Sequence, residues 1–187
     1  MNKKINYIVS GLERSGTSLM MQILEAGGLP VAYDDSRKAD KSNPKGYYEL
    51  ESGKIIEKLI NNEFPMEKYK GEFIKITAYG LQFLPKGKYD ILYMIRNTDE
   101  IVESTIKMSK NKKIGKDELR MALVLFEKEI LNRESKNPHF IPIFYKALVE
   151  ESTRDEELSV LKCRYPEFDM EKAKKVIDKK LYRNRSV

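Results

Sequence analysis

The sequence predicts an α/β sandwich with a mainly parallel central sheet, and three observations carry that expectation. Short β-branched apolar runs alternate with segments of helical period; the first run ends in a glycine loop that opens directly into a helix; and a second such run ends in Arg96 just before another helix. Strands separated by helices pair in parallel through right-handed crossovers, and ligands of such sheets lie outside the carboxyl ends of the strands. The glycine loop after Ser10 and the residue Arg96 are therefore expected on one rim.

The elements follow in order. "INYIVS" (Ile5 to Ser10) reads as a buried strand, and "TSLMMQILEA" as a helix with Leu19, Ile23 and Ala26 on one face, stopped by Gly27-Gly28. Leu29 to Gly46 turns polar and aperiodic, a length that marks a functional loop, and residues 29–48 are expected to form a lid over the ligand site at the rim. A helix is expected over Glu51 to Asn61, and strands over Glu72 to Tyr79 and Tyr89 to Arg96. Thr98 to Ser109 is helical with Ile101, Thr105 and Met108 on one stripe. "KDELRMALVLFEKEILNRES" is a long amphipathic helix, "HFIPIFY" a fourth strand, and helices near Thr153 to Leu161 and Met170 to Ile177 finish the chain. The length of 187 residues fits one domain, 1–187, with no linker or repeat.

Composition excludes several classes. The 41% hydrophobic and 34% charged content is that of an ordinary globular chain. A formal charge of +6 fits a nucleotide ligand as well as a lysine-rich solvated surface, so charge gives no argument for nucleic-acid binding. Cys163 is the only cysteine and His139 the only histidine, which rules out an internal disulfide and a Cys/His metal cluster. The start is too soon interrupted by glycine and charge for a signal peptide, and no apolar run approaches the roughly 20 residues of a membrane span. A reducing cytoplasm is the expected compartment.

The loop itself reads "SGLERSGTS". Glycines let backbone N–H groups turn inward, and the helix start behind them adds the positive end of a dipole. Gly11 and Gly16 have the spacing of a phosphate-binding loop; Ser15, Gly16, Thr17 and Ser18 supply amides and hydroxyls, and Arg14 a planar charged fork for an oxyanion. The lysine that reaches the β- and γ-phosphates of a triphosphate is absent, since Thr17 follows Gly16. The later strand ends in Arg96 where a metal-holding carboxylate would stand. Both departures favour a ligand held without metal.

"IVSGLERSGTSLMMQIL" resembles the 5′-phosphosulfate loop of the sulfotransferases that use 3′-phosphoadenosine 5′-phosphosulfate (PAPS), a P-loop NTPase-like fold. In that family a strand-end Arg and a Ser eight residues on clamp the donor's 3′-phosphate, and "IRNTDEIVES" has Arg96 and Ser104 at that spacing. "FIKITAYGLQFLP" and "FIPIFYKALV" are similar to later strands of the family, and "NPKGYYE" with a final "LYR" is similar to its compact microbial members. The resemblance implies PAPS or its product PAP (3′,5′-adenosine bisphosphate) as the bound nucleotide, no metal, and an unidentified small-molecule or glycan acceptor, with a homodimer compatible. It implies sulfuryl transfer to a hydroxyl or amine.

Its catalytic base is open. The family's Lys-Thr-His step reads Lys75-Ile76-Thr77-Ala78 here, without the His. The polar loop offers Glu49 first and Asp40 second as base, while Lys75 would stabilise the leaving phosphate. Arg183 and Arg185 would fold back on the 3′-phosphate, and Tyr33, Tyr47, Tyr48 and Tyr79 would wall adenine or acceptor. Two other readings stand beside this one: a P-loop kinase or nucleotide hydrolase using Arg14 for the lysine, and a non-catalytic nucleotide-binding protein.

Overall fold

In the computed structural model, which describes residues 1–34, 37–40, 43–109, 115–134 and 137–179, the first strand is β1 (Asn6–Gly11), buried along its whole length. It is buried because a strand pairs with it on each side and helices cover both of its faces. β2 (Phe73–Lys75), β1, β3 (Tyr89–Ile95) and β4 (Phe140–Phe144) form one sheet in that order, all parallel. Side chains alternate across the pleat. Tyr7 and Val9 enter a core with α1 (Thr17–Ala26), α5 (Tyr145–Val149), α6 (Glu151–Arg164) and α7 (Met170–Lys174). Ile8, Ile74, Ile91 and Tyr93 enter the other core, under α2 (Ile55–Ile60), α3 (Thr98–Met108) and α4 (Lys116–Glu134). The result is the expected three-layer sandwich.

Several boundaries differ from the expectation for physical reasons. β2 ends at Lys75, Ile76 and Thr77 follow without regular structure, and a 3-10 segment runs from Ala78 to Phe83 where the expected strand would have finished. Gly80 there packs so closely on Ile76 that a Cβ would lie 2.5 Å from its side chain. The helix expected from Glu51 begins as a 3-10 turn, with positive φ at Glu51, Ser52 and Gly53, and becomes α-helical at Ile55. α3 buries Glu100, Ile101, Val102 and Ser104, whereas Met108 is exposed. α1 buries Met20, Met21, Ile23 and Leu24, with Leu19 and Ala26 at the margin.

The topology fixes the place of the site. The chain leaves β1 for the β2 side and then steps back across β1 to β3, so the connections diverge between β1 and β3. Gly11 is in register with Met94. Such a switch point opens a crevice at the carboxyl ends of the strands.

Candidate functional site

The loop between β1 and α1 turns back on itself at two glycines where any side chain would be strained and crowded. Gly11 has φ +146°, and a Cβ there would lie 2.5 Å from Ser15 Oγ and 2.7 Å from the Met94 carbonyl. Gly16, at φ +105°, caps α1, and its Cβ would lie 2.4 Å from the Tyr145 ring. Arg14, between them, takes positive φ as well (70°), a conformation L-residues adopt at a cost. Ser15 is fully buried, and among the described residues its Oγ has no hydrogen-bond partner. The glycine cradle, the amides at the start of α1 and the Arg14 guanidinium form a donor set of the kind that suits a phosphate or sulfate oxyanion.

A cavity of about 520 Å³ opens over this loop and is lined by Arg14, Gly16, Thr17 and Ser18. On the β3–β4 side its walls are Arg96, Ser104, Lys107 and Tyr145; on the β2 side they are Arg37, Tyr47, Glu49, Lys75 and Thr77. α3 starts immediately beyond Arg96 because the Asn97 side chain accepts from the backbone N–H groups of Asp99 (2.8 Å) and Glu100 (3.3 Å). Ser104 then faces the loop, and its Oγ accepts from Arg14 Nε at 3.0 Å. Arg96 Nη1 donates to the Arg14 carbonyl at 3.0 Å, its Nε donates to Glu100 at 3.0 Å, and its guanidinium lies 4.4 Å from the Tyr145 ring centre. Burial raises the Tyr145 phenol above its ordinary value, against the pull of Arg96.

On the other side, Lys75 ends β2 and is buried, with its ammonium donating to the Tyr47 carbonyl, to Ser18 Oγ (3.4 Å) and to Glu49 (3.3 Å). Burial lowers the Lys75 amine below its ordinary value, and the Glu49 carboxylate opposes that shift. Glu49 also accepts from Arg37 at 3.1 Å, and the Arg37 guanidinium lies 3.5 Å from the Tyr47 ring centre. Ser18 Oγ donates to the Tyr47 carbonyl at 3.1 Å. Described residues of the polar stretch thus reach the loop.

The sequence-nominated residues divide accordingly. Arg14, Gly16, Thr17, Ser18, Arg96, Ser104, Lys75 and Glu49 share one cavity, with Gly11 and Ser15 forming the turn beneath it. Asp40 does not line it; its carboxylate accepts from the Tyr47 hydroxyl at 2.8 Å and is exposed. Of the four tyrosines only Tyr47 lines it: Tyr33 and Tyr48 both hydrogen-bond Glu25, and Tyr79 is exposed against Phe83. His139 precedes β4, at the opposite end of the sheet, against Arg164. Arg183 and Arg185 lie outside the described residues.

Sequence reasoning missed Tyr145, Glu100 and Arg37. Tyr145 could have been found from its position just past a strand end on the same rim, and Glu100 from its place four residues after Arg96 on a helix start. Arg37 sits in an aperiodic stretch that carries no local signal.

No family model matches the chain, and no curated protein matches it by sequence. Among solved structures, the fold is similar to that of a retinol dehydratase in complex with androsterone and inactive cofactor PAP, with TM-score 0.55 and 13% identity. That match covers 97% of this chain, which spans 65% of the length of the retinol dehydratase. A sugar kinase from Janibacter sp., unliganded, matches with TM-score 0.46 and 13% identity over 94% of this chain and 99% of the kinase. At 13% identity the first likeness is one of fold. No described helix is long and apolar enough to cross a membrane.

Proposed function

We propose that this chain is a sulfotransferase that moves a sulfuryl group from PAPS to a hydroxyl or amine of a small-molecule or glycan acceptor, without a metal ion. One observation carries the reading: Arg14 Nε meets Ser104 Oγ and Arg96 Nη1 meets the Arg14 carbonyl, each at 3.0 Å, so the strand-end arginine and the helix serine stand beside a lysine-free phosphate loop. The fold likeness to a retinol dehydratase whose structure holds PAP supports the same nucleotide class.

In this reading Arg14 and the amides of Gly16, Thr17 and Ser18 hold the 5′-phosphosulfate, and Arg96 with Ser104 holds the 3′-phosphate. PAPS, when bound, supplies the sulfuryl group. Lys75 stands 3.4 Å from Ser18 Oγ, where a cation offsets charge building on the phosphate oxygen that leaves sulfur. Glu49, 3.3 Å from Lys75, takes the proton of the acceptor as its oxygen or nitrogen bonds to sulfur. The remaining contribution is alignment of acceptor and donor on the rigid rim.

Thermal-shift titration with PAP tests the donor. A ligand bound to the folded state at 100 times its Kd adds about 2.7 kcal/mol, which at about 2–4 °C per kcal/mol corresponds to a rise of about 5–11 °C for a chain of this size. Arg14→Ala and Arg96→Ala are each expected to lose most of that rise. No rise at millimolar PAP, or a rise that survives both substitutions, overturns the reading. Mg²⁺-dependent ATP binding without a PAP response would favour the kinase reading instead. Glu49→Gln is expected to slow transfer about 10²–10⁴-fold while PAP affinity holds; an unchanged rate would remove Glu49 as base.

A further inference from the structure

We infer that Glu100 is a positioning residue for the nucleotide's 3′-phosphate, acting through Arg96 to set selectivity for 3′-phosphorylated nucleotides; the inference rests on the donor reading above. Glu100 lies on the first turn of α3, and its carboxylate accepts from Arg96 Nε at 3.0 Å. Both side chains are buried, with 8% of Arg96 and 3% of Glu100 exposed. A guanidinium has five N–H donors in a fixed plane. Here the plane is set three ways: by Glu100 at Nε, by the Arg14 carbonyl at Nη1, and by the Tyr145 ring 4.4 Å from its centre.

Ser104 is one helical turn beyond Glu100 on the same buried face of α3, and Arg14 Nε holds its Oγ. An anion on Arg96 and Ser104 therefore meets donors whose directions are fixed before it arrives. Two ions so thoroughly removed from water gain little net stability over an apolar pair of the same size. Orientation of Arg96 toward the cavity is the better account of a buried carboxylate at this point. Without it the guanidinium keeps its charge and loses its direction.

The test compares PAP with AMP, which carries the 5′-phosphate and lacks the 3′-phosphate. Titration calorimetry gives both affinities for the wild type, Glu100→Gln and Glu100→Asp, with melting temperatures recorded alongside. The wild type is expected to prefer PAP. Glu100→Gln is expected to weaken PAP about tenfold, the equivalent of one misdirected charge-assisted hydrogen bond, and to leave AMP unchanged. Glu100→Asp keeps the buried charge and withdraws the carboxylate by one methylene, so it retains folding and loses part of the PAP preference. It carries the test if the Gln variant does not fold.

Equal weakening of PAP and AMP means a purely structural role and overturns the inference. So does an unchanged ratio in both variants, tighter PAP binding by Glu100→Gln, or a wild-type ratio in Glu100→Asp when Glu100→Gln loses it, which would make charge rather than placement the cause. A wild type that binds PAP and AMP alike removes the 3′-phosphate site while leaving the loop reading intact. A wild type that binds neither fails at the donor reading, and this inference falls with it.

Discussion

Gly16 shows how tightly the loop is built: its φ is +105°, and an added Cβ would lie 2.4 Å from the Tyr145 ring. Gly16→Ala therefore meets two penalties, a left-handed backbone and an overpacked contact, and is expected to destabilise the chain by about 1–3 kcal/mol. Chemical denaturation measures that loss, and the PAP-induced rise in melting temperature is expected to shrink with it. A variant as stable as the wild type would show that the ring moves aside freely. The spacing of Gly11 and Gly16 was legible in sequence because a tight turn has a local chemical signature. The bond from Arg14 to Ser104 was not, since those residues are 90 positions apart and nothing local links them.

At the scale of elements, α4 presents an acid to the sheet. Glu127 is 9% exposed, its Oε1 has no partner among the described residues, and the Tyr93 hydroxyl in the same core is likewise unsatisfied. Burial lifts the Glu127 carboxyl from 4.5 to about 7. The folded chain therefore binds more protons than the unfolded chain between those values, so this residue lowers stability as pH rises from about 4.5 through 7. Glu127→Gln removes the ionisation cost. Its melting temperature is expected to exceed that of the wild type at pH 8, with the gap closing toward pH 4.5; a gap independent of pH would contradict the shift. The long amphipathic pattern of α4 was visible in sequence, but which of its acids faces the core depends on its rotation against β3. The same limit applies to β2: the apolar run over Glu72 to Tyr79 has the pattern of one strand, yet the strand stops at Lys75 and a 3-10 segment starts at Ala78.

Across the whole molecule the two ends of the sheet have different tasks. The carboxyl ends carry the cavity, while at the amino end of β3 the buried Asp90 accepts from Arg164 (3.0 and 2.7 Å) and from the Tyr165 hydroxyl (3.1 Å). This cluster ties the end of α6 to the sheet. Asp90→Ala leaves a partly buried guanidinium and a buried phenol without that partner, a cost of about 2–3 kcal/mol. The expected result is a lower melting temperature with unchanged PAP affinity at temperatures where the chain is folded. Lost affinity in the folded variant would mean that the two ends are coupled.

The sequence by itself determined the layers, the parallel alternation of strands and helices, and the glycine loop on one rim with the strand end at Arg96, because period, turn chemistry and short spacing are properties of neighbouring residues. Only the tertiary structure decided that Glu49 joins Lys75 in the cavity while Asp40 turns to Tyr47, and that Glu100 and Tyr145 fix Arg96. Those choices depend on where the crossovers set one strand end against another, and on which polar groups can find partners once water is excluded from the rim.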